Sequence, residues 1–593
     1  MSSRHGKTRF LLLLTAIAAA GFLLRLIAGI QLSAADPAVC APASVTDMAT
    51  YKTLSEQILQ GTFPKEFYYQ PFYYAVFLPL IQLLTGPSDF MVLLAQSLCG
   101  GAAILLTGLA GARIAGKTAG ILAAVLLALS RLAILYTSYR LIETTQLLWF
   151  VLLLYLTLKA MDHGGWFRWL LTGFVLSIAI LTRGNAWCFL PPVLLACFWG
   201  EWRSRRKSGK AFALAVSMVL LGTLLPQLPF AAVNSIRYGT LKGPSTAGGA
   251  VLALGNTKES PPGGLEYPAS FQIWTKNQEE RSVPMRILDW IREEPAAYLE
   301  LTFRKLLLYW NEFDIPNNIN PAVNGDRSAL LATFRFLPTG LLLTLCLAGC
   351  FRNLRRSFRK RGIALLLLFL AMYWLAAAAF YNLGRFRVPS FALFALAGGL
   401  FCAGLPVLWR RKQYKTLFLY NGFALLAAFF LVYPGYTIYR ETLESPILKA
   451  VRPGGVRVDI PGEGLRVYDH GPMSFGGWNI IEGSAFQKTF SSAASAGTPV
   501  EFRLLLVKTP EPQRAMVVIN GQQKMLDDLT AGKPAFVKFI LPEPADGIFR
   551  IELYGPVRAV ADLQRNYGRT LGGADGAPLP YELLAELLIP RNR

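Results

Sequence analysis

Apolar runs of about twenty residues, each long enough to cross a hydrocarbon core as a helix, recur through the first three quarters of this chain. Short basic segments separate them: Arg4, Lys7 and Arg9; Arg113 and Lys117; Arg203, Arg205, Arg206, Lys207 and Lys210; Arg352, Arg355, Arg356, Arg359, Lys360 and Arg361; Arg410, Arg411, Lys412 and Lys415. Short loops rich in Lys and Arg stay on the cytoplasmic side, so these segments fix which end of each run faces inward. They also carry most of the formal charge of +23, which in a soluble protein would suggest a nucleic acid and here calls for no such partner. A mean hydropathy of +0.39 agrees with a polytopic α-helical membrane protein.

With the N-terminus inside, spans are predicted at 10–30, 89–111, 119–138, 144–161, 168–183, 185–200, 211–232, 330–350, 363–381, 389–409 and 416–437, eleven in all. The first run is longer than the apolar core of a signal peptide and no small-residue cleavage site follows it closely, so it is predicted to remain as the first helix. Segment 71–86 is apolar but short of a comfortable span, and only if it lies at the interface does every basic cluster fall inside. The outer face then receives loop 31–88, the turn near Tyr139 to Thr144, loop 234–329, the turn YNLGRFRVPS and the C-terminal region.

Two domains follow: a membrane module over 1–437 and a soluble domain over 438–593. In the second, alternating runs such as GVRVDI, PVEFRLLLVK, AMVVI, AFVKFI and IFRIELYG predict an antiparallel β-sandwich, and Asn520-Gly521 between AMVVI and QQKML is a two-residue hairpin signal. The seven cysteines are scattered, the soluble domain has none, and Cys40 stands alone in the first outer loop, so no disulfide framework is implied.

Candidate chemistry concentrates on the outer face. Residues 46–60 place Asp47, Tyr51, Leu54 and Ile58 on one face of a helix. Asp47 suits a general base for transfer to a hydroxyl, though Thr46 or Asp47 could equally serve as the helix N-cap. Glu143, in SYRLIETT, is a second acid at an outer boundary; it could simply mark the water interface, and Arg140, three residues earlier, is a possible partner for it. Arg385 and Arg387, in NLGRFRVPS, oppose the topology trend and so suit an anion, a phosphate above all, or else snorkel to lipid headgroups. Lys305, on a helix entered through Pro295, is a further phosphate candidate unless that helix merely rests on the membrane. Tyr51, Tyr69, Gln70, Arg140 and Asn256 complete the expected substrate lining, Asn256 closing a glycine-rich stretch whose backbone can approach a ligand. Metal chemistry is poorly supported: His5 and His163 are predicted cytoplasmic, His470 lies in the soluble domain, and no CxxC or HExxH occurs. No cofactor is expected, with a divalent metal left open.

The ordered set Asp47-x-x-x-Tyr51, the aromatic-Gln-Pro-aromatic stretch from Tyr68 to Tyr74, SYRLIE, RKLLLYWNEFDIPNN and RFRVP resembles the bacterial branch of the protein O-mannosyltransferase and aminoarabinose transferase superfamily, GT-C fold glycosyltransferases that use polyprenyl-phosphate sugars. The resemblance covers 1–437. It implies transfer of a sugar from a polyprenyl phosphate to a hydroxyl on a glycan, lipid or protein at the outer face of the bacterial cytoplasmic membrane. Asp47 would be the base, Glu143 the second acid, and Arg385 with Arg387 would steady the phosphate. Two departures stand out: Gln70-Pro71-Phe72 replaces the Lys-Pro-Pro or His-Pro-Pro of many relatives, and the outer histidines of relatives with a zinc site are missing.

A polyprenyl-linked lipid flippase or transporter is the alternative, but it would favour repeated halves and ionisable groups at mid-membrane, and charges deep within these spans are few, Arg131 being the main doubtful case. A sandwich that binds a surface while the helices anchor it would need a single helix. The sandwich is expected to recognise acceptor or partner, with Trp478 as a stacking candidate.

Overall fold

The computed structural model describes residues 2–433, apart from 41, 43–45, 204–207, 259, 261, 264–268, 277–280, 316, 320 and 335, and beyond them ten strands between 457 and 590. Trp478 and His470 lie outside the described residues.

Among the described residues, six helices are long and apolar enough to cross a membrane: His5–Ala35, Asp89–Ala115, Glu143–His163, Gly209–Tyr238, Arg361–Ala378 and Gly384–Arg410. The other expected spans are helical but shorter, broken or more basic. Lys117–Ala128, Trp166–Thr182 and Thr416–Val432 are short apolar helices. Segment 184–202 is built from three helical pieces, Gly184–Phe189, Leu190–Cys197 and Phe198–Trp202. Thr339–Ser357 ends in a turn carrying Arg355 and Arg356.

Two expectations shift here for one reason. The predicted span 119–138 stops at Ala128 and restarts as Arg131–Thr137, and the predicted span 330–350 starts late, at Thr339. Pro338 disfavours helix at Leu337, and the extended Leu337 pairs with the break instead: Arg131 N donates to Leu337 O at 3.1 Å and Leu337 N to Leu129 O at 2.8 Å. Each interruption therefore supplies the other's missing backbone partners.

Close helix approach rests on small residues. A Cβ on Gly173 would overlap the Val219 carbonyl and one on Gly222 the Leu170 carbonyl, so Trp166–Thr182 and Gly209–Leu224 pack backbone to backbone. The first helix hides a charge that sequence reading passed over. Arg25, 1% exposed, donates to Gly21 O at 2.9 Å and Leu127 O at 3.3 Å, beside Gly100, with no carboxylate partner among the described residues.

The helix bundle has two chemically distinct ends. At one, Gly6 approaches Lys117, Arg113 pairs with Asp162 at 2.7 Å, and Arg361 donates to Trp199 O at 2.8 Å. At the other, Tyr139 donates to Asp36 at 2.5 Å and Asn324 to the same carboxylate at 2.6 Å. Glu143 opens the helix that Asp162 and His163 close, so about 28 Å of helix, nearly a bilayer core, separates it from the basic end.

Over the second end lies Asp47–Leu59, joined through Ser55 Oγ to Gln82 Oε1 (2.9 Å) on Phe72–Thr85, fourteen residues with Leu83 and Leu84 exposed. Long segment 239–328 is largely helical, including Gly248–Gly255, Val283–Glu293 and Pro295–Leu308. The C-terminal strands form antiparallel sheets of three and five strands and a two-stranded ribbon. Met516–Ile519 and Gln522–Met525 make the expected hairpin, with φ of 46° at Asn520 and 86° at Gly521, the left-handed pair that such a turn requires.

Candidate active site

Thr46, not Asp47, caps the first outer helix: its backbone is extended and its hydroxyl accepts from Ala49 N at 3.3 Å. The Asp47 carboxylate is thereby left free for a tertiary partner. That partner is Arg385, at the start of the tight helical turn Gly384–Ser390 leading into Phe391–Arg410; its Nη2 lies 2.5 Å from Asp47 Oδ2. Asn318 Nδ2 donates to the same oxygen at 3.1 Å.

Arg385 also faces the second acid. Its Nη1 is 3.9 Å from Glu143 Oε1, and Arg183 Nη2 donates to that oxygen at 2.7 Å. The ring of Phe386 takes both guanidiniums, with Arg183 Cζ 4.4 Å and Arg385 Cζ 5.2 Å from its centroid. Two carboxylates and two guanidiniums thus form a chain with no net charge. Asp47 is 26% exposed, Arg183 12%, Arg385 7% and Glu143 fully buried, so the chain opens to solvent at its Asp47 end.

Burial alone would raise the Asp47 carboxyl; Arg385, and then Asn318, outweigh it and hold the group below the usual carboxylate range. Tyr51, one turn along the same helix, is pushed well above the ordinary tyrosine range by burial and by Asp47. Its ring meets Tyr73 and Tyr69 edge-on, at 5.4 and 6.3 Å, and stacks on Tyr74 at 6.2 Å. An aromatic wall therefore stands beside the carboxylate. The Gln70 amide lies against Gly184, the residue after Arg183.

Other expected site residues have different partners. Arg140 pairs with Asp89 rather than Glu143, whose partners are Arg183 and Arg385. Arg387 does not face an open anion site: its donors go to the carbonyls of Tyr309, Asn311 and Phe313 and to Asp314 at 2.7 Å, which Thr339 also holds at 2.8 Å. It pins segment 309–314 to the late helix, a structural use of the charge. Lys305 is fully buried against Gly255 O and Asn256 Oδ1, at the carbonyl end of Gly248–Gly255, where a cation is favoured. Burial lowers its ammonium to about 7. Asn256 is itself held by Leu252 O and Ala379 O, each at 2.8 Å.

Sequence reading missed Arg183 and Asn318. Arg183 sits in ILTRGNAWC, an arginine at the non-basic end of a span, the same signal that singled out Arg385. Asn318 had no comparable signal beyond lying in DIPNN. Among the described residues no group of three or more His, Cys, Asp or Glu is placed to hold a metal ion.

Residues 69–229 match the family model described as dolichyl-phosphate-mannose-protein mannosyltransferase, a segment containing Tyr69, Gln70, Glu143 and Arg183 but neither Asp47 nor Arg385. Comparison with curated proteins returned no match. Among solved structures, the chain is similar to the archaeal oligosaccharyltransferase AglB from Archaeoglobus fulgidus in complex with an inhibitory peptide and a dolichol-phosphate (15% identity, TM-score 0.36, 70% of this chain and 55% of that one). It is also similar to ArnT from Cupriavidus metallidurans bound to undecaprenyl phosphate (15%, 0.37, 75% and 72%). A third similarity is to arabinosyltransferase EmbB from Mycobacterium smegmatis (12%, 0.25, 97% and 64%). The chain spans just over half the length of the oligosaccharyltransferase.

Proposed function

We propose that this chain is a membrane glycosyltransferase that moves a sugar from a polyprenyl-phosphate donor to a hydroxyl on a glycan, lipid or protein, at the membrane face opposite the basic loops. The observation that carries the reading is the Asp47–Arg385–Glu143–Arg183 chain at the non-basic end of the helix bundle. The family matched by residues 69–229, named for a dolichyl-phosphate sugar and a protein acceptor, supports the donor class. By the positive-inside rule, the basic end is cytoplasmic and the site is external.

A lipid-linked donor needs a site at the water–lipid boundary, because its tail partitions into hydrocarbon and its phosphate into water. In the reaction the acceptor hydroxyl gives its proton to the Asp47 carboxylate as its oxygen bonds to the anomeric carbon. The bond from that carbon to the phosphate oxygen breaks, and the electron pair leaves with the polyprenyl phosphate, whose charge Arg385 stabilises. Glu143 holds the two guanidiniums in place, and Tyr69, half-buried and backed by Tyr51, offers an apolar face for a sugar ring.

Asp47→Asn keeps the shape of the side chain and removes the base. Purified variant in lipid nanodiscs, supplied with polyprenyl-phosphate sugars and a cell-envelope acceptor fraction, is expected to remain folded and to lose transfer by at least about a hundredfold. Near-normal turnover would remove Asp47 from the mechanism.

A further inference from the structure

A carboxylate held by a guanidinium at 2.5 Å and an amide at 3.1 Å is poorly placed to accept a proton. Asp47 must be released before it can act, and the geometry points to how. Arg385 lies between two acids, in contact with Asp47 and 3.9 Å from Glu143. Among the described residues, its Nε is buried without a partner, and so is Glu143 Oε2. Two opposite charges, each with an unfilled buried bonding position elsewhere on the group, thus come within 3.9 Å of each other through Nη1 and Oε1, slightly too far for a hydrogen bond. A shift of about 1 Å toward Glu143 would bring Arg385 within hydrogen-bond range of it. Arg183 anchors Glu143 through that same Oε1, which leaves Oε2 unfilled.

We propose that Arg385 is shared between Asp47 and the donor phosphate: an arriving phosphate draws the guanidinium off Asp47 toward itself and Glu143, and the carboxylate becomes a competent base only once donor is bound. This rests on the donor class proposed above. It makes the order of events a property of the site. Without donor, Asp47 stays paired and no stray hydroxyl is activated; with donor, one movement supplies a cation to the leaving group and a base to the nucleophile. Linkage makes the coupling reciprocal, since whatever Asp47 contributes to holding Arg385 is subtracted from phosphate affinity.

The test is therefore binding, with farnesyl phosphate as the probe and full-length protein in nanodiscs. Asp47→Asn is expected to bind it roughly tenfold more tightly than wild type, because Arg385 is no longer held elsewhere. The gain is expected to vanish when Asp47→Asn is compared with wild type in an Arg385→Gln background. A gain that persists there would come from simple charge removal and would overturn the proposal, as would unchanged affinity in Asp47→Asn. Inorganic phosphate should show the same ratio between variants at lower affinity; a ratio of one would assign the gain to the lipid tail and also overturn it. If wild type binds no farnesyl phosphate, the donor class falls along with the coupling; if it binds and only the variant pattern fails, the donor class stands. A structure of the wild type with farnesyl phosphate bound needs no variant to fold: Arg385 is expected on phosphate and Glu143, and Arg385 still on Asp47 would refute the exchange.

Discussion

Arg183→Gln tests the charge chain most directly. Glu143 is fully buried, with Arg183 2.7 Å and Arg385 3.9 Å from the same carboxylate oxygen. Removing one partner from a buried pair costs about 3–5 kcal/mol because an uncompensated charge stays behind. Two features reduce that figure here. Arg183 is itself 12% exposed, and Arg385 can move in to compensate, so we expect a loss of about 2–3 kcal/mol. Arg183→Gln/Glu143→Gln removes both charges and is expected to recover at least half of the loss, so that with Glu143→Gln as the other single variant the double-mutant cycle gives a coupling of at least about 1 kcal/mol. Equilibrium unfolding by SDS titration in mixed micelles, followed by tryptophan fluorescence, reads both quantities. A single variant within about 0.5 kcal/mol of wild type, or a double variant no more stable than the worse single, would refute the claim that the four charges act as one unit.

Lys305 offers a test of pH dependence. Its ammonium falls from 10.5 to about 7 on folding, so between those values the unfolded chain holds the extra proton and stability rises with pH. The penalty is fully present below pH 7, so Lys305→Met should raise the unfolding temperature there and flatten its slope between pH 7 and 10; a slope equal to wild type would disprove the assignment. Arg387→Gln frees segment 309–314 and should lower stability and donor and acceptor use together, whereas a selective loss of donor binding would restore the phosphate role expected from sequence. Gly173→Leu cannot fit against the Val219 carbonyl and should yield inserted but aggregation-prone protein, read by size-exclusion chromatography; a monodisperse peak would contradict the close approach.

Much of this was legible because lipid leaves a chain few options. Apolar length and basic loops located most of the helices and their basic end, and the i, i+4 relation placed Asp47 and Tyr51 on one face. Partnership was not legible. Arg140 is three residues from Glu143, yet its partner is Asp89, because local spacing predicts neighbours only where the helix is continuous, and residues 138–142 form a bend before the helix begins at Glu143. Arg385 and Arg387 look alike in sequence and have opposite fates, one at an opening and one bound to three carbonyls, since a tight helical turn points alternate side chains in different directions. Pro338 marks the break at Leu337 locally, whereas the break at Leu129 has no such signal and is satisfied by Leu337 from across the fold.

Arg25 has a consequence for how the protein is made. Its carbonyl partner Leu127 lies about a hundred residues downstream, so the first helix must enter the bilayer before that partner exists. Placed about 15 Å from the outer end of its helix, the guanidinium meets lipid at a cost of some 2.5–3.5 kcal/mol, which flanking leucines must offset until Lys117–Ala128 arrives. Biogenesis therefore contains an interval in which the first helix alone carries the cost of a buried charge, and docking of Lys117–Ala128 ends it.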